Sequence, residues 1–162
     1  APLSQTPGLQ QTHASSCGPA ALRNALSILG YDRSEQELIK TCKTDTDGTT
    51  VKNLFRALTT LKESCNLEGP AEIKEKEPDV ALLRLLEALR NGRPVICCVR
   101  TDEPWDHWAL ASGILGSAGP NLRLVCEDSG SLELTEYRTP AQFTEWWRGP
   151  ETERKPYYGI VL

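Results

Sequence analysis

A glutamine and a cysteine six residues apart form the segment of this chain best suited to chemistry. Gln11 precedes Cys17, and Cys17 is followed by Gly-Pro-Ala-Ala-Leu, which predicts a helix beginning at the cysteine. A thiol attacks carbon as its thiolate, and a helix N-terminus lowers a cysteine pKa from about 8.5. Ser15 or Ser16 is expected to cap this helix. The spacing therefore predicts a nucleophile whose oxyanion is bound by the Cys17 N–H and by the Gln11 side-chain amide.

A nucleophilic cysteine needs a nearby base, and the chain contains 2 histidines. His13 lies four residues before Cys17, in the same short segment that leads to the helix. From there its ring would have to fold back over the thiol, which is an awkward geometry for a base. His107 begins a predicted strand after an acidic loop, so its ring can project from a sheet edge into a cleft. By alternation Ala109 and Ala111 share its face, and we expect the Cys17 helix to pack across these small residues. His107 is therefore the predicted general base.

The base in turn needs a group that fixes its orientation, and the next predicted strand supplies carboxylates. Leu122–Glu127 alternates so that Cys126 and Asp128 share the apolar, buried face, whereas Glu127 is expected to point to solvent. We therefore expect Asp128 to accept the N–H of His107 and to fix its tautomer.

The elements that must position these residues change from helical to strand periodicity halfway along the chain. Four helices are predicted, beginning at Cys17, at the capping box Ser34-Glu-Gln-Glu37, at Thr49 or Thr50, and near Asp79. The expected core face of the fourth helix is Val80, Leu83, Leu86 and Leu89. The charged stretch 62–78 is predicted to be an irregular segment that crosses the protein surface. Strands are predicted at 93–99, 107–115, 122–127, 132–134 and 157–162, with a short helix from Thr139-Pro140.

Helices followed by antiparallel strands predict an α+β fold. The length of 162 residues suits one domain, which we assign to residues 11–162 after a flexible N-terminal arm, residues 1–10. The chain begins Ala1-Pro2-Leu3 and contains no Met, so we expect a processed or excised segment, and a removed targeting peptide is compatible with this start.

Charge and composition exclude several classes of function. A net charge of −4 gives no basic footprint for nucleic acid or anionic membranes, and no apolar run approaches the roughly 20 residues of a membrane span. The turn Asp45-Thr-Asp47-Gly48 lacks the ligand spacing of a calcium loop and is expected to precede a helix. We therefore expect no metal and no cofactor.

Cysteine spacing indicates the redox environment. The chain has 6 cysteines, of which Cys97 and Cys98 are adjacent in a buried apolar run, and no CxxC pair is present. Buried free thiols explain this spacing better than disulfides do. We therefore expect a cytoplasmic rather than a secreted protein.

The sequence resembles the C39 peptidase family and its C39-like relatives, which are papain-like cysteine peptidases. The matching segments are Gln11-x5-Cys17-Gly-Pro-Ala-Ala-Leu, Gly48-Thr-Thr-Val, Gly92-Arg-Pro-Val-Ile, and His107-Trp-Ala-Leu with Glu127-Asp128. The resemblance implies a papain-like fold with Cys17 as nucleophile, His107 as base, Asp128 as orienting carboxylate and Gln11 as oxyanion donor. In the family a proline commonly follows the aspartate, whereas Ser129-Gly130 follow it here, which predicts a looser turn.

Three functions are compatible with this constellation. The first is hydrolysis of a peptide bond in a protein or peptide substrate. The second is glutamine deamidation or acyl transfer on a partner protein, and the third is a non-catalytic module that binds peptides in the same cleft. Trp108, on the strand face opposite His107, is expected in the core, whereas Trp105 in the preceding loop suits substrate contact and packing equally.

Overall fold

The structure, a computed structural model, describes residues 9–100, 107–117, 119–131, 133–149 and 155–162. In these ranges the helices are α1 (Cys17–Ile28), α2 (Glu35–Thr41), α3 (Val51–Ser64), α4 (Pro78–Arg90) and α5 (Pro140–Trp147). The strands are β1 (Ala71–Glu75), β2 (Val95–Val99), β3 (His107–Leu115), β4 (Arg123–Glu127), β5 (Thr135–Arg138) and β6 (Tyr157–Val161).

The six strands form one antiparallel sheet in the order β1-β6-β2-β3-β4-β5. The predicted α+β class is therefore confirmed. In the register of this sheet, His107 lies opposite Val99, and Leu110 lies opposite Glu127. The beginning of β3 and the turn that follows β4 consequently lie at the same end of the central strands.

Helices cover both faces of the sheet, and each face has its own apolar core. One core joins α1 and α3 to Trp108 and Leu110, and the other joins α4 and α5 to Ala109 and Ala111. The expectation that the Cys17 helix crosses the alanine face is therefore wrong. Because both faces are covered, the small side chains of β3 accommodate α4 and α5, while α1 packs against the large residues on the opposite face.

Local sequence signals account for where three of the helices begin. Ser34 accepts the Glu37 N–H and forms the predicted capping box at α2. Thr50 accepts the Asn53 N–H at α3, and Thr139 forms a second capping box before Pro140 at α5. Each cap satisfies an amide that the first helical turn leaves free.

Three expectations for the elements are wrong. The stretch 62–78 contains the edge strand β1, in which only Ile73 is buried, because an edge strand can carry charged residues. The strand predicted at 132–134 is β5 in the structure and begins later, at Thr135. Residue 132 lies outside the described residues. In α4, Val80 and Leu83 are exposed, because the buried face is formed by Ala81, Leu85, Leu86, Ala88 and Leu89.

None of the helices in the described ranges combines the length and the apolar character that crossing a bilayer requires.

Candidate active site

Cys17 is the first residue of α1, and its side chain is buried. The first amides of an α-helix have no acceptor within the helix. Within the described part of the chain, neither the Cys17 N–H nor the Gly18 N–H donates to a backbone carbonyl, and Pro19 has no N–H. The expected cap is absent, because the Ser16 side chain makes no hydrogen bond to the helix amides. Two amide donors are therefore available beside the thiol.

The ring of His107 lies between a carboxylate and the thiol. Its Nε2 is 2.6 Å from Oδ1 of Asp128, and the Cys17 side chain is close enough to the ring to affect its pKa. Burial of the ring lowers the pKa of His107, but the hydrogen bond to Asp128 and the nearby Cys17 side chain outweigh it and raise this pKa to about 10. The structure thus brings Cys17, His107 and Asp128 together, and the site favours the imidazolium form of the ring.

Asp128 sits in a turn that hydrogen bonds hold in place. Its carboxylate accepts the Gly130 N–H at 3.0 Å, and its carbonyl accepts the Ser131 N–H at 3.0 Å. Burial raises the pKa of Asp128, but the hydrogen bond and charge of His107 and the Gly130 N–H lower it overall. The turn is therefore fixed without the proline that the resemblance led us to expect, and its carboxylate is ionised.

Gln11 lies beside the same turn, and both ends of its side-chain amide have partners. Its Oε1 accepts the Ser129 hydroxyl at 2.9 Å, and its Nε2 donates to the carbonyls of His13 at 2.8 Å and Ala14 at 3.3 Å. A Cβ built on Gly130 would lie 3.4 Å from both Gln11 Oε1 and His107 Cε1. Gln11 is thus close to His107, with its Nε2 hydrogens directed at loop carbonyls.

The other histidine and the other thiols are placed differently. Nδ1 of His13 pairs with the Thr12 hydroxyl at 2.9 Å in an exposed position. All six cysteines are free. Burial raises the pKa values of Cys42 and Cys126 to about 12. Neither of these thiols begins a helix.

The expectation that Glu127 points to solvent is wrong. Glu127 is 6% exposed and lies opposite Leu110, on the sheet face that α1 covers. Its Oε2 has no hydrogen-bond partner among the described residues. Burial raises the pKa of Glu127 to about 7.

Sequence reasoning missed the support that the loop before α3 gives to the nucleophile. Trp108 is buried as predicted, and its Nε1 donates to the Thr49 carbonyl at 2.9 Å. A Cβ on Gly18 would lie 2.8 Å from Thr49 Oγ1 and 3.4 Å from Trp108 Cδ1. The sequence feature that could have indicated this contact is Gly18, because only a residue without a side chain allows Thr49 to lie so close to the backbone next to Cys17. Trp105, for which substrate contact and packing were equally expected, lies outside the described residues.

Residues 45–48 form the turn that the sequence predicts before α3. Asp45 Oδ1 accepts the Asp47 N–H at 2.8 Å. In the described ranges, no three His, Cys, Asp or Glu side chains are grouped so that they could hold a metal ion.

The fold is shared with solved peptidase domains. The peptidase domain of Streptococcus ComA, a bi-functional ABC transporter involved in a quorum-sensing pathway, aligns with a TM-score of 0.69 at 19% identity over 94% of this chain and 95% of that chain. A double-glycine-motif protease from an AMS/PCAT transporter, in complex with its leader peptide, aligns with a TM-score of 0.63 at 15% identity over 98% and 91% of the two chains. A protein described as a C39-like peptidase from Bacillus anthracis aligns with a TM-score of 0.64 at 14% identity over 99% and 95%.

These likenesses show the papain-like fold of C39 peptidase domains. No curated protein sequence matches the chain. The sequence model of the Peptidase_C39 like family matches residues 3–150. The chain therefore belongs to the Peptidase_C39 like family.

Proposed function

We propose that this protein is a cysteine peptidase that cleaves a peptide bond with Cys17 as nucleophile, His107 as general base and acid, and Asp128 as the orienting carboxylate. The observation that carries the proposal is the position of the His107 ring, which is hydrogen-bonded to Asp128 and lies close enough to the Cys17 side chain for Cys17 to raise the His107 pKa. A base that contacts both a nucleophile and an orienting group is the arrangement that nucleophilic catalysis requires.

In the first half-reaction His107 holds, as imidazolium, the proton that Cys17 gives up, and the sulfur forms a bond to the carbonyl carbon of the substrate. The carbonyl oxygen becomes an oxyanion that the free N–H of Cys17 stabilises. The carbon–nitrogen bond then breaks, and the leaving amine takes the proton from His107. Asp128 stabilises the imidazolium throughout, in keeping with the raised pKa of His107.

In the second half-reaction water attacks the thioester at Cys17. His107 accepts a proton from this water, and a second oxyanion forms, which the Cys17 N–H again stabilises. The carbon–sulfur bond breaks, the acid product leaves, and His107 returns a proton to the Cys17 sulfur. The enzyme is regenerated without any metal or cofactor.

Gln11 is the proposed second donor to the oxyanion. Its Nε2 donates to two loop carbonyls, and the bond to Ala14 at 3.3 Å is longer than the bond to His13 at 2.8 Å. The longer bond is the weaker one. We assign it as the bond that Nε2 exchanges for the oxyanion when substrate binds.

A peptide is the substrate class best supported. The double-glycine-motif protease with the same fold was solved with its leader peptide bound. The six free thiols of the present chain suit a reducing compartment, for which we propose the cytoplasm.

The test combines labelling of the thiol with product analysis. Cys17 should react with iodoacetamide faster than free cysteine, and His107→Ala should remove this excess reactivity. His13→Ala is the matched control, because His13 is exposed and pairs with Thr12, so the excess should persist. A Cys17 rate equal to that of free cysteine would favour a binding module.

Peptide libraries then separate the chemistries by mass spectrometry. Two fragments indicate proteolysis, whereas a gain of about one dalton on an intact protein indicates deamidation. Cys17→Ala should abolish turnover with the fold intact, and undiminished turnover in this variant would contradict the assignment.

A further inference from the structure

Glu35 is a buried carboxylate that binds the loop leading to Cys17. It is the first residue of α2 and is 5% exposed. It accepts the Ser16 hydroxyl at 2.5 Å and the Thr12 N–H at 3.1 and 3.2 Å. Arg23 of α1 lies 3.4 Å from its Oε2. A buried charge with this set of partners fixes the positions of the groups that bind it.

The partner of Glu35 that matters most for the site is Ser16, the residue before the nucleophile. The Ser16 hydroxyl donates to Glu35 and to the His13 carbonyl at 2.9 Å, and it accepts the His13 N–H at 3.2 Å. It therefore does not cap α1. Pro19 occupies the third helical position and has no N–H, so the Gly18 amide is the one that a Ser16 cap would bind.

Ser16 also differs in backbone conformation from the hydroxyl residues that cap other helices of this chain. Ser34, Thr50 and Thr139 are extended, with ψ values of 151°, 156° and 160°, and each accepts an amide of its own helix. Ser16 has φ −98° and ψ 23°. The ψ angle of Ser16 sets the direction of the Cys17 N–H, because that N–H belongs to the peptide plane between the two residues.

We propose that Glu35 is a positioning residue that holds the Ser16 hydroxyl away from α1 and so keeps the Cys17 and Gly18 amides directed at the oxyanion. The inference rests on the proposed function for its catalytic consequence. Without Glu35, Ser16 turns to the extended cap conformation, a rotation of ψ by about 130° from 23° at Ser16 to a value like the 151° of Ser34. The Cys17 N–H then leaves the position in which it stabilises the oxyanion.

Two reagents separate this role from a general effect on the thiol. With p-nitrophenyl acetate the Cys17 sulfur bonds to the acetyl carbon, an oxyanion forms, the carbon–oxygen bond breaks and p-nitrophenolate leaves. With iodoacetamide the sulfur displaces iodide directly, and no oxyanion forms. In both reactions the thiol proton passes to His107. Mass spectrometry of the Cys17 peptide measures both rates.

Glu35→Ala is expected to lower the rate of Cys17 acetylation about 10²-fold, the effect of losing one oxyanion donor, and to leave the alkylation rate within about threefold. Adding Ser16→Ala should restore acetylation at least about tenfold, because the competing cap is removed. Glu37→Gln is the matched control on the same helix turn, since Glu37 pairs with Ser34 and should leave both rates unchanged. Glu35→Gln, which keeps one acceptor oxygen, should give an intermediate loss and serves if Glu35→Ala does not fold.

Amide hydrogen exchange tests the same inference without any turnover. The Gly18 amide should exchange more slowly in Glu35→Ala than in the wild type, because Ser16 then accepts its hydrogen bond. Equal exchange rates, or equal losses of acetylation and alkylation, would overturn the inference. A wild-type Cys17 that acetylates no faster than free cysteine would refute the proposed function instead, and the exchange measurement would still decide the role of Glu35.

Discussion

Replacing Glu127 by glutamine should make the stability of the protein less sensitive to a rise in pH from 5 to 8. Glu127 is the last residue of β4 and is buried on the sheet face that α1 covers, and burial raises its pKa from 4.5 to about 7. The unfolded chain loses this proton near pH 4.5, whereas the folded protein keeps it until about pH 7. Stability from this group is therefore fully present below pH 4.5 and is lost as the pH rises to about 7.

The size of the effect follows from the difference between the two pKa values. A shift from 4.5 to about 7, at about 1.36 kcal/mol per pKa unit, gives a total of about 3 kcal/mol. Between pH 5 and pH 8 most of this loss occurs, so the free energy of unfolding of the wild type should fall by about 2–3 kcal/mol relative to that of Glu127→Gln. The titration of His107 is common to both proteins and cancels in the comparison.

Urea unfolding of both proteins at pH 5, 6, 7 and 8 measures this difference. The glutamine amide brings a cost of its own, because Oε2 of Glu127 has no partner among the residues that the structure describes, but that cost does not change with pH. Glu127→Leu removes the carboxyl without adding an amide and should show the same pH trend. A difference in unfolding free energy that stays constant from pH 5 to pH 8 would refute a buried, proton-binding Glu127.

Two further substitutions test the surroundings of the nucleophile. Gly18→Ala should destabilise the protein by about 1–3 kcal/mol in urea unfolding, because the added methyl would lie 2.8 Å from Thr49 Oγ1; unchanged stability would contradict this contact. Asp128→Asn should lower the pKa of His107 from about 10 by about one unit or more, since the hydrogen-bonded carboxylate favours the imidazolium. An NMR titration of the ring measures this pKa, and a value still near 10 would show that Asp128 does not hold the proton on His107.

The sequence predicts best what short-range chemistry determines. The capping box of α2, the start of α3 at Thr49 or Thr50 and the start of α5 near Thr139-Pro140 depend on residues within one helical turn, and the structure has all three, with Thr50 as the cap of α3. β3 begins at the predicted His107 for a similar reason, because an apolar run directly follows an acidic stretch of sequence. Local patterns of this kind need no knowledge of the tertiary fold.

The errors arise where a second element decides the outcome. Alternation placed Glu127 and Asp128 on opposite faces but could not show that α1 covers the face of Glu127. β1 was missed because it is held by pairing with β6 and has a single buried residue, Ile73. Ser15 or Ser16 was predicted to cap α1, and the Ser16 hydroxyl is instead bound by Glu35, which lies 19 positions further along the chain.

The same long-range contacts explain why the candidate site depends on the segment 9–12. This segment is tied to α1 by Leu9, whose N–H donates to Asn24 at 2.9 Å, and to α2 through Thr12 and Glu35. It is also tied to the turn after Asp128, because the Gln11 N–H donates to the Ser129 carbonyl at 3.0 Å.

The segment therefore connects the helix that carries Cys17 to the turn that carries Asp128. Its contacts are mainly hydrogen bonds, whereas the two apolar cores lie within the sheet and its helices. Contacts of this kind open at a lower free energy than a packed core does. Release of this segment would therefore break its hydrogen bonds to α1, to α2 and to the turn after Asp128 while the cores, which include Cys17, stay folded, so the position of Gln11 is less stable than the fold that supports it.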